Sequence, residues 1–160
     1  MFFLIDRYAC EESPRLGMMA LTPTPESVPR ARRWFRRFID PYEPRCSLDD
    51  CVLLVSELVT NAILYGSTEY AWLVRVEWFR DGTDLRVEVH NPGLPTRVHL
   101  RRPDPGDAHG RGLLLVDSIA ASWHCGASRF GGTVVSFVMA NAWLAKADNP
   151  MDAYKQPPAR

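Results

Sequence analysis

The chain has 160 residues, close to the usual size of one globular domain and short for two. Nineteen lysines and arginines balance nineteen aspartates and glutamates, and 46% of the residues are hydrophobic. That balance argues against wholesale disorder and against a generally basic nucleic-acid binder, so nucleic acid is not an expected partner.

Four cysteines, at positions 10, 46, 51 and 125, form no C-x-x-C pair and have no matching histidine cluster. Neither a zinc site nor a secreted disulfide framework is indicated, and a cytoplasmic location fits best. The opening Met1-Phe2-Phe3-Leu4-Ile5 is apolar but meets Asp6 and Arg7 far short of the roughly 20 residues of a membrane helix. No targeting signal and no membrane span are expected.

Residues 1–19 lack a clear period and are expected to be a dispensable extension to a domain covering 20–145. From Ser27 the pattern turns helical. Val28, Ala31, Phe35, Phe38 and Ile39 fall on one stripe, five arginines between Arg30 and Arg37 occupy the rest, and Pro41 closes the segment. The arginine face reads either as a solvated surface or as a docking surface for an acidic partner protein. A second helix is expected from about Ser47 to Tyr65, with Ser47 as cap and Asp49 and Asp50 in the first turn.

Tyr70–Phe79 and Asp84–His90 alternate in the manner of strands, with Val74, Val76 and Trp78 facing Leu85, Val87 and Val89 across a turn at Asp81-Gly82. Residues 91–110 carry four prolines and three glycines and predict a long lid or binding loop. A short apolar helix over Arg111–Ala121 follows, then a second strand pair over Ser122–Cys125 and Thr133–Met139. The tail, 146–160, is proline-rich and expected to be disordered. Hairpins in place of β-α-β crossovers predict an α+β fold, a two-layer sandwich of a mainly antiparallel sheet with helices on one face.

The most informative stretch is Leu53-Leu54-Val55-Ser56-Glu57-Leu58-Val59-Thr60-Asn61-Ala62. Glu57 and Asn61, at i and i+4, project from the same helix face, and Glu57 is the one formal charge from Cys51 to Gly66. This fits the lining of a cleft, or a partly buried glutamate satisfied by a local donor. Gly110-Arg111-Gly112-Leu113 joins the long loop to a helix, where close backbone approach and unpaired amides suit phosphate oxygens; ordinary turns use the same pattern. His90-Asn91-Pro92-Gly93 and Gly131-Gly132-Thr133 would each alone be read as turns.

Taken in order, these motifs resemble the GHKL ATPase and kinase superfamily over about residues 20–140. "LLVSELVTNA" and "GRGLLLV" are similar to the small anti-sigma regulatory factors numerous in actinomycetes. The resemblance implies the Bergerat-type ATP-binding fold, ATP and Mg²⁺ as cofactors, and a protein serine/threonine kinase acting on an anti-sigma-factor antagonist, with a sigma factor as a further partner and a homodimer left open. It implies Glu57 as the catalytic carboxylate and Asn61 as the Mg²⁺ and nucleotide ligand. Asn91, Gly93, Gly110, Arg111, Gly112, Leu113 and Thr133 are implied as nucleotide contacts.

Two positions depart from the family pattern. Asn91 stands where relatives usually carry an aspartate that accepts from the adenine amino group, and Tyr65-Gly66 stands where they often carry a basic residue. The first departure keeps a second reading open, a catalytically weak nucleotide-sensing module that regulates a partner by contact.

Overall fold

The computed structural model describes residues 13–66, 70–94 and 111–145. Its architecture is α+β: a five-stranded, wholly antiparallel open sheet carries three helices on one face. The strands are β1 (Arg15–Leu21), β2 (Val74–Asp81), β3 (Asp84–Asn91), β4 (Ser122–Ala127) and β5 (Thr133–Met139), in the order β1-β2-β3-β5-β4. The helices are α1 (Ser27–Ile39), α2 (Leu48–Tyr65) and α3 (Gly112–Ile119). Helix α1 packs on β1, α2 on β2 and β3, and α3 on β4, with α2 in the middle of the helical layer.

That central place explains the composition of α2, which buries residues on most of its circumference from Cys51 to Ala62. Ser47 caps it by accepting the Asp50 N–H at 3.2 Å, and Asp49 and Asp50 complement the positive end of the helix dipole. Helix α1 is narrower in its burial. Ala31, Phe35 and Ile39 repeat every fourth residue and point into the core, whereas Phe38, expected on that stripe, is 49% exposed beside the equally solvent-facing Trp34.

The core lies between the layers. Trp78 is fully buried and meets Phe35 edge-to-face at 5.4 Å, with Leu21, Leu54, Leu58, Leu85 and Phe137 around it. The helix-facing register runs Met19, Val76, Val89, Val135 from strand to strand.

The sheet begins earlier than the expected domain start at 20, because β1 occupies residues 15–21 and buries Met19 and Leu21. Its pattern is hard to read because the third inward position is Gly17, where a Cβ would stand 2.3 Å from the Trp78 ring. The first hairpin strand starts at Val74 and not Tyr70. The turn between β2 and β3 places Gly82 at φ +60°, a conformation open to glycine. Residues 95–110, most of the expected lid, and the expected tail 146–160 lie outside the described residues.

Candidate functional site

Glu57 and Asn61 sit one turn apart on α2, both half-buried. The face they share is met by the start of α3. A Cβ built on Gly112 would lie 2.6 Å from Glu57 Oε2, 3.3 Å from Glu57 Cβ and 3.5 Å from Asn61 Nδ2. Gly112 therefore lets the first turn of α3 come against both side chains, which a larger residue would push aside. Leu113 anchors that turn in the core at 7% exposure, and Arg111, at the helix entrance, is exposed. The first amides of α3, which have no partner within the helix, are thereby brought to the same face as a carboxylate and a carboxamide.

A second group forms around the end of β3. Asn91 and Thr133 are register partners in the β3–β5 ladder. Asn91 Oδ1 accepts the Gly93 N–H at 2.8 Å, and Thr133 Oγ1 donates to the Gly93 carbonyl at 2.5 Å. Both side chains thus fold the chain after β3 into a fixed turn. Gly66, which ends α2, packs so closely that a Cβ would stand 2.9 Å from Asn91 Cβ, and one on Gly93 would stand 2.5 Å from the Tyr65 carbonyl. The C-terminus of α2, the end of β3 and the start of β5 are thereby held together. The family departure at Tyr65-Gly66 has a packing reason at Gly66.

The structure therefore brings Glu57, Asn61, Arg111, Gly112 and Leu113 together at the α2–α3 contact, and Asn91, Gly93 and Thr133 together at the end of β3. The last turn of α2 links the two groups. Gly110 lies outside the described residues. For a divalent cation, Asn61 offers a carboxamide oxygen and Glu57 a carboxylate on one face, the hard oxygen donors that Mg²⁺ takes alongside phosphate oxygens.

Sequence reasoning missed a charged network on the helix-free face of the sheet. Glu77 and Glu88 are directly opposed in the β2–β3 register, and both are buried. Arg129, from the turn between β4 and β5, contacts both, reaching Glu88 Oε2 at 2.5 Å. Arg75 and Arg15 reach Glu77 at 2.7 and 3.0 Å, and Arg86 pairs with Glu88 and with Asp81. His90 stands between the acids and Ser128, its Nδ1 2.8 Å from Ser128 Oγ and its Nε2 3.2 Å from Glu88 Oε2.

Burial alone would push the Glu88 carboxyl up, but the contacts from His90, Arg129 and Arg86 outweigh it and hold that carboxyl at about 2. Glu77 is likewise raised by burial and brought below its ordinary value by Arg75, Arg15 and Arg129. Glu77, Glu88 and His90 are close enough to hold a metal ion. Four guanidiniums already neutralise the two carboxylates, so the arginines take the place that a cation would fill.

A family model described as histidine kinase-like ATPase domain matches residues 21–139, from the last residue of β1 to the end of β5. No curated protein matches the chain. Among the described residues, no helix is long and apolar enough to cross a membrane.

Proposed function

The chain belongs to the family of histidine kinase-like ATPase domains, and from that premise we propose that it is an ATP-binding anti-sigma factor that phosphorylates serine or threonine of an antagonist protein. One observation carries the reading: Glu57 Oε2 and Asn61 Nδ2 lie against Gly112, so the one charged side chain between Cys51 and Gly66, the carboxamide and the amide-rich start of α3 share one face.

Phosphoryl transfer needs mostly positioning and neutralisation of charge. In this reading Glu57 accepts the proton of, or orients, the attacking hydroxyl, and the α3 entrance with Arg111 holds phosphate oxygens. Asn61 would hold Mg²⁺, which when bound supplies charge neutralisation across the phosphates. Asn91, Gly93 and Thr133 frame the base end. A protein substrate needs a docking surface, and α1 offers one: Trp34 and Phe38, 41% and 49% exposed, stand among Arg30, Arg33 and Arg37. Exposed aromatics with arginine are the composition of protein interfaces, and the cations favour an acidic partner.

A second reading, a nucleotide-sensing module with weak catalysis, is favoured by Asn91. Its Oδ1 already accepts from Gly93, and its remaining amide group is a donor where an aspartate would offer a second acceptor. Titration with ATP, with and without Mg²⁺, followed by measurement of γ-phosphate transfer to the antagonist, separates the readings. Metal-dependent binding with transfer supports the kinase. Binding without transfer or hydrolysis gives the lead to the module, and absence of binding contradicts both.

A further inference from the structure

Cys46 and Cys51 are five residues apart and straddle the start of α2. With Ser47 as the cap and Leu48 as the first helical residue, Cys46 precedes the cap and Cys51 is the fourth helical residue. Those are the two positions at which apolar side chains ordinarily clasp across a helix start and fix the entry of the chain. Here the clasp is made of two thiols, with the sulfur atoms 3.7 Å apart. Cys51 is fully buried and Cys46 is partly open to solvent.

We propose that Cys46 and Cys51 form a reversible oxidation site, in which a peroxide-class oxidant joins the two thiols into a disulfide across the first turn of α2.

The geometry assigns the roles. Only Cys46 of the pair can be reached from solvent, so it is the attacking group, and the buried Cys51 resolves. The Cys46 thiolate attacks one peroxide oxygen; the O–O bond breaks, hydroxide leaves, and Cys46 becomes a sulfenic acid. The Cys51 sulfur then attacks the Cys46 sulfur. The S–O bond breaks, the departing hydroxide takes the Cys51 proton as water, and the S–S bond forms. The two sulfurs together lose two electrons, which the peroxide gains. The sulfurs must close from 3.7 Å to the roughly 2 Å of a disulfide.

Electrostatics favours the same assignment. The hydrogen bond from Cys51 lowers the Cys46 thiol to about 7, against the upward push of burial. The same bond and burial raise Cys51, so the shared proton stays on the buried sulfur. Cys125 is an internal comparison, because burial raises its thiol and, among the described residues, no hydrogen bond opposes the shift.

The test uses the full-length reduced chain. It is treated with hydrogen peroxide, alkylated and cleaved after arginine, which leaves both cysteines in the single peptide 46–75. The expected product is that peptide, unalkylated and lighter by two hydrogens, restored by a dithiol reductant. Without oxidant, Cys46 should alkylate at neutral pH at least about tenfold faster than Cys125, following its larger thiolate fraction.

Cys51→Ala keeps a small apolar group in the clasp but loses the hydrogen bond that lowers the Cys46 thiol, so it should give no bridge and, once the pH is raised to ionise Cys46, a sulfenic acid there that a dimedone probe traps; Cys46→Ser should give neither adduct nor bridge in peptide 46–75. The proposal is overturned if the peptide keeps two alkylatable thiols after peroxide, if the bridge joins two chains, or if folded Cys51→Ala gives no dimedone adduct at Cys46 even at a pH that ionises its thiol.

Discussion

Glu57 and Gly112 meet across the α2–α3 contact, and the absence of a side chain at Gly112 leaves the Glu57 carboxylate its place. In Gly112→Ala the new methyl displaces Oε2, the mobile end of the side chain, so the fold should absorb it while the carboxylate is re-aimed. Stability should change by less than about 1 kcal/mol in urea, whereas phosphate transfer should fall roughly 10–100-fold, the scale of a misplaced catalytic group. Equal transfer rates in the variant and the parent would detach Glu57 from the chemistry.

Asn91 has already given its oxygen to Gly93. Asn91→Asp retains that bond and adds a charged acceptor, so ATP should bind about fivefold more tightly, the roughly 1 kcal/mol that separates charge-assisted from neutral hydrogen bonds. Calorimetric titration reads the change directly, and weaker binding by the aspartate would show that the base does not lie against this side chain.

Glu88 and Glu77 titrate lower in the folded chain than in the unfolded one, Glu88 at about 2 against an ordinary 4.5. As pH falls, the unfolded chain therefore takes up protons first. The stability from this network is full above about pH 4.5 and is lost progressively towards pH 2. Its expected size at Glu88 is about 1–2 kcal/mol, after allowance for screening by half-exposed arginines. Denaturant midpoints from pH 6 to pH 2.5 should fall less steeply in Arg129→Ala than in the parent, since Arg129 contacts both carboxylates. Parallel profiles would contradict the network's role.

Strand β1 should matter to stability although it lies at the sheet edge. Gly17→Ala would drive a methyl to 2.3 Å from the Trp78 ring, and should cost about 1–3 kcal/mol, the usual cost of overpacking. A chain beginning at Ser13 should unfold like the whole protein, while one beginning at Thr22 loses buried Met19 and Leu21 and should unfold earlier. Tryptophan fluorescence in urea follows both, and an unchanged midpoint on removing β1 would return that strand to the status of an extension.

What could be read from the chain follows from how local each signal is. Helices α1 to α3 and the two hairpins declare themselves by period, caps and glycine turns, and the E-x-x-x-N spacing on α2 put Glu57 and Asn61 on one face. Strand β1 escaped because a glycine fills an inward position and its partner strand lies more than fifty residues away. The Glu77–Glu88 network escaped for a related reason. Alternating charges in a hairpin read as a solvated face, and what buries them is Arg129 and Phe130, brought over the sheet by the β4–β5 turn. Spacing did not mark Cys46 and Cys51 as a pair either, because their contact depends on where the helix cap falls.

The central claim, that Glu57 serves the chemistry while Asn61 serves metal-dependent binding, is tested most directly by Glu57→Gln. The amide keeps the size and much of the hydrogen bonding of the carboxylate, so ATP affinity should stay within about twofold while phosphate transfer to the antagonist falls about 10²–10⁴-fold, the contribution of a general base. Asn61→Ala, measured alongside, should instead weaken Mg²⁺-dependent binding itself. A Glu57→Gln protein that transfers phosphate at the parent rate would contradict the account.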